Sequence, residues 1–245
     1  MYKIELHSHC KAGSCDSMFN EEGLVKALSG FNGFVLSNHY NEQQLAKMKL
    51  SWYCHGYCYN CDISNKRLGV EDFEKCYSRW LLSIEKCKHY AKLSGIMCYA
   101  GMEYSVEGGH FGIIECTLDD FINDPIYPGR DLTYVLNYAH KHGAIVIQNH
   151  PYRRGVPMSG VDGYELWNTK HGKTDMLIKG EFPYRSDIYV CGADIHHCHD
   201  IGKSYTEVER LPEDEKDLAR MLMEGKYTCY VAENLEDERY VFGRR

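Results

Sequence analysis

Histidine and carboxylate side chains recur directly after short apolar segments of this sequence. The residues in this position are His7, His9, His39, Glu103, His150, Asp194 and His196. Imidazole nitrogen combined with carboxylate oxygen suits Zn, Mn or Fe, whereas Ca and Mg prefer shells made of oxygen alone. Clustered ions of this kind acidify water and polarise phosphoryl oxygens. The pattern therefore predicts a metal centre, with hydrolysis as its reaction.

Two pairs of these residues are spaced so that one strand can supply both members. His7 and His9 are two residues apart, and so are Asp194 and His196. In an extended chain this spacing puts both side chains on the same face. Because binding sites of parallel sheets and barrels lie at the carboxyl ends of the strands, we expect the side chains to converge there.

The segments that must position these residues alternate between short apolar runs and helical patterns, which is typical of β-α units around a parallel sheet. The predicted strands are 2–6, 33–37, 96–102, 111–116, 144–148, 163–167, 188–193 and 228–232. Eight strands with interleaved helices in 245 residues predict a (β/α) barrel, for which about 250 residues is typical. A doubly wound sheet is the alternative fold.

Three helices are predicted, at 71–93, 131–142 and 212–224. Asp131 is the expected N-cap of the second helix, and Gly143 follows its end. Pro212 is expected to open the third helix, and Gly225 follows it.

The composition excludes several classes of protein. With 44% hydrophobic and 26% charged residues, the sequence is typical of a globular protein rather than a collagen-like or disordered one. Its net charge of -7 opposes broad binding of nucleic acid, which leaves only a nucleic-acid end as a candidate partner of that class. No run approaches the roughly 20 apolar residues of a membrane span, and the first residues resemble no signal peptide. We therefore expect a cytoplasmic protein that does not bind membranes.

The twelve cysteines are expected to be reduced, because no export signal precedes them. Seven of them have no ligand spacing, and most of these are predicted to be small core residues: Cys10, Cys15, Cys98, Cys116, Cys191, Cys198 and Cys229.

A polar segment rich in Tyr and Cys, at about 41–70, is predicted to be an insertion on the rim of the barrel. Its Cys54, Cys58 and Cys61 are spaced as C-x3-C-x2-C. This spacing resembles the loop of radical S-adenosylmethionine enzymes, in which three thiolates hold a 4Fe-4S cluster. A structural zinc with one further ligand and three free thiols are the other interpretations. An iron-sulfur enzyme built on this loop is thus a remote alternative function.

Five short motifs resemble, in order, the successive motifs of the PHP superfamily, named for polymerase and histidinol phosphatase. They are Glu5-Leu6-His7-Ser8-His9, Ser37-Asn38-His39, Gly101-Met102-Glu103, Asn149-His150-Pro151 and Gly192-Ala193-Asp194-Ile195-His196. Asp16 resembles the aspartate that follows the family's first motif, and His110 resembles its next histidine. The segment 163–168 is similar to a further family motif that does not usually supply a ligand.

The resemblance implies an α/β fold, a distorted seven-stranded (β/α)7 TIM-like barrel in a single domain over residues 1–245, with one of the eight predicted strands outside it. It also implies hydrolysis of phosphate esters by a metal-bound hydroxide on two or three divalent metals (Zn, Mn or Fe). The implied ligands are His7, His9, Glu103 and Asp194 for one ion, Asp16, His39 and His196 for a second, and Glu103, His110 and His150 for a third. Glu103 would then bridge two ions.

The sequence departs from the family pattern at Glu5, Asn38, Ala193 and Ile195, where the family commonly has Asp, Asp, Ser and Ala. None of these changes removes an implied ligand. Asn38 removes a carboxylate beside His39, and we expect lower metal affinity there because such partners orient ligands and raise their basicity.

The substrate is expected to be a small phosphorylated molecule. Arg153 and Arg154 are predicted to bind its phosphate, since Arg can bind phosphate bidentately. His197 and His199 follow the Asp194 and His196 pair. In an extended chain His197 would face the opposite side from that pair, and His199 lies further from the strand end. Both are therefore expected to be loop histidines.

Two other functions use the same residues. A metal-dependent amidohydrolase also has a His-x-His on its first strand and a late Asp, but it usually needs a carboxylated Lys where this sequence has Glu103. A non-catalytic phosphate-binding module is the third candidate.

Overall fold

The computed structural model describes residues 1–14, 16–40, 70–114, 116–151, 157–168, 172–173, 186–233 and 236–240. The strands in these residues are β1 (Tyr2–Ser8), β2 (Gly33–Leu36), β3 (His39–Tyr40), β4 (Met97–Val106), β5 (Gly109–Ile114), β6 (Ile145–Asn149), β7 (Gly163–Asn168), β8 (Gly172–Lys173), β9 (Ile188–Gly192), β10 (Ser204–Val208), β11 (Tyr227–Glu233) and β12 (Glu236–Tyr240). The helices are α1 (Glu21–Ala27), α2 (Val70–Ser94), α3 (Leu118–Asn123), α4 (Leu132–Lys141) and α5 (Glu215–Met223), with a short 3-10 helix at Cys198–Asp200. Residues 41–69 of the predicted insertion, including Cys54, Cys58 and Cys61, lie outside the described residues, as do Arg153 and Arg154.

Seven of the described strands close into a barrel in the order β1-β2-β4-β5-β6-β7-β9. A parallel bridge between Ser8 and Ile195 completes the circle. There the Ile195 amide donates to the His7 carbonyl and the His9 amide donates to the Ile195 carbonyl, each at 3.0 Å. The seven-stranded barrel is thereby confirmed, and the doubly wound alternative is wrong.

Strand β5 runs against its neighbours in the barrel. It pairs antiparallel with β4 and β6, whereas the other described barrel neighbours pair parallel. A reversed strand brings its first residues, rather than its last, to the rim where the parallel strands finish. His110, the second residue of β5, accordingly lies opposite Ser105 near the end of β4 and opposite Asn149 at the end of β6.

Strands β10, β11 and β12 extend the sheet beyond the barrel by antiparallel pairing that starts from β1. The predicted strand 228–232 is β11, and it is the one of the eight predicted strands that lies outside the barrel. It has the apolar character of a barrel strand because Cys229 and Val231 are buried in the same cluster as Leu218 and Leu222 of α5.

All three predicted helices are present, and their bounds differ from the predicted ones by one residue except at the start of α5. Helix α4 has Asp131 as its N-cap, which accepts from the Tyr134 amide at 2.9 Å, and Gly143 follows with φ of +75°. Helix α5 begins three residues later than predicted from Pro212. Its N-cap is Asp214, whose side chain accepts from the Asp217 amide at 2.8 Å.

The buried apolar side chains form two clusters, one joining the sheet to α1–α4 and one joining it to α5 and the extension. Cysteines 10, 98, 116, 191 and 229 are buried, as predicted for core residues, but Cys198 is exposed because it lies in the surface turn of the 3-10 helix. Among the described helices, none combines the length and apolar character needed to cross a membrane.

Candidate metal centre

All nine residues implied as metal ligands lie together at one rim of the barrel. They are His7 on β1, His9 directly after it, Asp16 in the following loop, His39 on β3, Glu103 on β4, His110 on β5, His150 directly after β6, and Asp194 and His196 after β9. On β1 the residues Glu5 and His7 alternate with Ile4 and Leu6, so the polar and apolar side chains point to opposite faces of the strand.

Glu103 is the carboxylate at the middle of this group. Its Oε1 lies 3.0 Å from His150 Nε2 and 3.2 Å from His110 Nδ1. Its Oε2 lies 3.0 Å from His39 Nε2, since the register of β3 against β4 puts His39 beside Glu103. His7 Nε2 is 3.5 Å from Oε1, and His9 Nε2 is 3.7 Å from Oε2. Glu103 thus lies within 3.7 Å of five histidines, and its implied role as a bridging ligand stays a prediction.

Asp194 is a second carboxylate within the group. Its Oδ1 lies 3.1 Å from His9 Nε2, 3.2 Å from His196 Nδ1 and 3.5 Å from His7 Nε2. The Asp194 backbone has φ of +52° and that of His150 has φ of +29°, a region that residues other than glycine seldom adopt. Such conformations cost on the order of 1–3 kcal/mol and cluster at functional sites.

Asp16 marks the side of the group that is open to solvent. Its side chain is 43% exposed, whereas that of His39 is 12% exposed and those of the other seven are almost fully buried. Its Oδ1 lies 3.2 Å from His196 Nε2 and 3.8 Å from His39 Nδ1. A molecule approaching the group would therefore pass Asp16 first.

The ligand atoms are close enough for metal coordination in three overlapping sets, within each of which they lie no more than 4.8 Å apart. The sets are His7, His9 and Asp194; His9, His39 and His196; and His7, Glu103 and His150. The first lies within the first implied ligand set. The second has His9 where that implied set has Asp16, and the third has His7 where that implied set has His110.

The group has buried polar atoms that suit a cation. His9 Nε2 and Glu103 Oε2 are buried, and neither makes a hydrogen bond of acceptable geometry with any described residue, although both have polar neighbours within 3.1 Å. An unsatisfied buried carboxylate or imidazole is costly. Because the donors are imidazole nitrogens and carboxylate oxygens, the residues fit Zn, Mn or Fe.

Glu165 on β7 holds two members of the group in place. Its Oε1 lies 2.8 Å from His7 Nδ1, and its Oε2 accepts from the His150 amide at 2.9 Å and from Asn168 Nδ2 at 3.1 Å. The close approach requires glycine at 192, where a Cβ would lie 2.6 Å from both Glu165 Oε1 and His7 Cβ. The family resemblance covers segment 163–168 without implying a role for Glu165, although a Glu inside an apolar strand is itself a signal of function.

Ser14 holds two more members. Its Oγ lies 3.0 Å from His9 Nδ1 and accepts from the His39 amide at 2.9 Å. Asn38, which stands where the family commonly has an aspartate beside His39, anchors this loop. Its Oδ1 accepts from the Cys10 amide at 2.8 Å, and its Nδ2 donates to Ser83 Oγ at 2.9 Å. The expected weakening of metal binding at His39 stays a prediction.

Comparison with known proteins gives structural neighbours only. No protein-family model matches the sequence, and no curated protein matches it. A two-domain protein from Bacteroides vulgatus that contains a predicted PHP-like metal-dependent phosphoesterase has a TM-score of 0.61 and 15% identity, over 94% of this chain and 64% of that one. This chain shares the barrel fold of that protein. It spans less than two thirds of that two-domain protein.

Two further structures match this fold at lower similarity. An amidohydrolase from Chromobacterium violaceum, solved with bound sulfate and no metal, has a TM-score of 0.51 and 14% identity, over 91% of this chain and 96% of that one. PsfC from Pseudomonas syringae has a TM-score of 0.52 and 11% identity, over 89% and 87%. At these identities the comparison establishes the fold and leaves the reaction open.

The charged groups at this rim shift one another's pKa values. Burial alone would raise the pKa of Glu103, but His110 and His7 lower it well below its usual value. The pKa of Asp194 is likewise well below its usual value, because His7 and His196 outweigh burial. Burial lowers the pKa of His9 well below its usual value, and nearby His196 lowers it further. The two carboxylates are therefore ionised.

Proposed function

We propose that this chain is a metal-dependent phosphoesterase. The observation that carries the proposal is the position of Glu103, a buried ionised carboxylate surrounded by five histidines at the rim of a PHP-like barrel. Divalent ions at such a donor set would acidify water at neutral pH and polarise the oxygens of a phosphoryl group. Hydrolysis of a phosphate ester is the reaction for which that combination is suited.

The residues around the ligands prepare them to bind cations. A histidine ligates through a ring nitrogen that carries no proton, and the partner of the other nitrogen fixes which one that is. Glu165 accepts the proton of His7 Nδ1, so His7 Nε2, which faces Glu103 and Asp194, is the nitrogen that would give up its proton to an incoming ion. Ser14 does the same at His9 Nδ1.

The substrate is proposed to be a small phosphorylated molecule that enters on the Asp16 side. Asp16 is the most exposed of the implied ligands. Arg153 and Arg154 are proposed to contact the phosphate, because guanidinium pairs well with phosphate oxygens. The net charge of -7 favours a small molecule over nucleic acid, with a nucleic-acid end as the alternative.

An amidohydrolase is the second candidate, favoured by the neighbour of that name from Chromobacterium violaceum. One feature counts against an amidohydrolase: Glu103 stands where such enzymes usually have a carboxylated lysine. A phosphate-binding module without turnover and an iron-sulfur enzyme built on Cys54, Cys58 and Cys61 are the remaining alternatives.

The proposal is tested by measuring phosphate release from a panel of phosphomonoesters and phosphodiesters. The purified protein is loaded with Mn, Zn or Fe, and each assay is run with and without chelator. We expect chelator-sensitive release with at least one ester. Asp194→Asn and His9→Ala are expected to abolish release, and His89→Gln, which changes an exposed histidine on α2, serves as the control.

The outcomes separate the candidates. Release that survives chelation, or that is unchanged in both ligand variants, contradicts a metal phosphoesterase. Hydrolysis of amides without hydrolysis of esters supports the amidohydrolase. Phosphate binding without turnover on any ester supports the binding module.

A further inference from the structure

A second cluster of ligand-type residues lies in the turn that follows His196, outside the group described above. His197 and His199 expose 45% and 71% of their side chains, and Asp200 between β9 and β10 is buried. We infer that His197, His199 and Asp200 form an accessory, solvent-facing site for a transition-metal ion. This inference goes beyond the proposed hydrolysis and does not depend on it.

The three side chains are already gathered around one place. Each offers a ligand atom that lies within 4.8 Å of the other two. The His197 and His199 rings are stacked, with centroids 5.2 Å apart and an angle of 17° between their planes. His199 Nε2 lies 3.4 Å from Asp200 Oδ1, and His197 Nδ1 lies 3.7 Å from Asp200 Oδ2. Small rotations of two exposed rings would bring all three ligands to one ion.

The Asp200 carboxylate supplies the independent reason for an ion. Its Oδ2 is fully used, because it accepts from the His196 amide at 3.0 Å and from the His197 amide at 2.8 Å. Its Oδ1 is buried and has no hydrogen-bond partner among the described residues. A buried oxygen of a charged group left in this state is costly, and a cation held with the help of His199 would satisfy it.

The donor set defines the class of ion. Two imidazoles and one carboxylate leave at least one coordination position for water, which is an arrangement that Zn accepts. Affinity of such nitrogen-rich sites rises toward Ni, Cu and Zn in the first-row series. The site is thus expected to take Zn, Ni or Cu in preference to Mg or Ca, which favour oxygen ligands.

An ion at this site would affect the barrel group through the carboxylate of Asp200. The same Asp200 that would bind the ion also holds the His196 amide, and His196 belongs to the barrel group. An ion on Oδ1 would therefore stiffen the backbone that presents His196.

Equilibrium dialysis against Zn tests the site by counting ions bound per chain. The variants are His197→Gln/His199→Gln, which changes two exposed histidines, and Asp200→Asn, which keeps an oxygen for the two amides and replaces the other with NH2. The matched control is His89→Gln/His140→Gln, two exposed histidines elsewhere on the surface. Unfolding temperatures without metal check that all four proteins are folded.

We expect both site variants to bind one Zn fewer per chain than the wild type and the control. If either site variant binds the wild-type number, the three-ligand site is overturned. The His197→Gln/His199→Gln variant leaves the contact between Asp200 and the His196 amide in place, so ions held by the barrel cancel in its difference from wild type. That result stands whether or not the protein hydrolyses phosphate esters.

Discussion

Glu103 at the barrel rim and Asp217 on α5 are both buried, ionised carboxylates, but their surroundings differ. Asp217 is contacted by the guanidinium groups of Arg210 and Arg220, and chiefly the hydrogen bond from Arg210 holds its pKa below the usual value. Glu103 has only histidines as ion-pair partners within the described chain. A histidine is a cation only when protonated.

The comparison shows that the protein itself supplies the positive charge beside Asp217 but not beside Glu103. Around α5, arginine side chains neutralise the carboxylate whatever the solution contains. At the rim, carboxylates are concentrated beside histidines whose nitrogens are ordered by Glu165 and Ser14. Buried charges without partners are strongly unfavourable, so the rim requires protons or metal ions from solution, whereas the surroundings of Asp217 do not.

The largest effect is expected for Glu103→Gln. The amide keeps the size of the side chain but removes the charge shared by five histidines. We expect turnover to fall by more than the roughly 10–100-fold typical of losing an outer partner of a ligand. We also expect the rise in Tm on adding Zn to be lost, because that rise reflects ion binding to the folded state. A Zn-dependent rise equal to that of the wild type would contradict a central role for Glu103.

A smaller effect is expected for Glu165→Gln. Two N–H donors meet Glu165 Oε2, so the amide oxygen of the glutamine should take that place and its NH2 should face His7 Nδ1. The proton of His7 would then move to Nε2 and block the ligand atom. We expect metal affinity and turnover each to fall about 10–100-fold, measured by zinc titration and phosphate release. Unchanged affinity would show that this carboxylate serves packing alone.

Ser14→Ala should have a weaker effect of the same kind. The serine hydroxyl is a neutral partner of His9 Nδ1. Without it, either ring nitrogen of His9 can carry the proton, but nothing forces the proton onto Nε2. We expect metal affinity to fall toward the lower end of that range, about 10-fold. Ser17→Ala is the matched control, since Ser17 is a buried serine of the same loop whose Oγ donates to the His9 carbonyl. Equal affinities of the two variants would count against the role of Ser14.

The smallest effect is expected for Arg210→Ala, between β10 and α5. It should leave turnover and the Zn-dependent rise in Tm unchanged and lower Tm slightly, because Arg210 is exposed and screened by solvent. The folded pKa of Asp217 is lowered, so the pair stabilises the protein above the usual Asp pKa of about 4, and this contribution is lost as pH falls below it. The Tm difference from wild type should therefore shrink in acid. A difference that grows in acid would contradict the assignment.

The sequence predicts the implied ligands at the rim better than the residues and strand directions that position them. Residues such as His7 and Asp194 are recognisable because strand ends and two-residue spacing are local properties. The direction of β5 is not local, since apolar alternation reads the same either way, and His110 was found only through the family resemblance. The bond between Glu165 and His7 joins residues 158 positions apart, which no local pattern reveals.

Errors at the ends of elements have a similar cause. Pro212 and Asp214 are both good helix starters, and a hydrogen bond to the Asp217 amide decided between them. For β11, apolar composition indicated a strand but could not distinguish a barrel position from the extension that packs on α5.

The reversed direction of β5 also predicts the order in which the parts of the candidate metal centre form during folding. Glu103 and His110 are seven residues apart and meet through a hairpin, whereas the Ala193 to Glu5 hydrogen bond beside the barrel closure spans 188 residues. Closing short loops costs less chain entropy and happens sooner. During refolding, pulsed hydrogen exchange should protect the amides of β5 before those of His9 and Ile195. One half of the centre would then form early as a hairpin, and the other half only when the last strand joins the first.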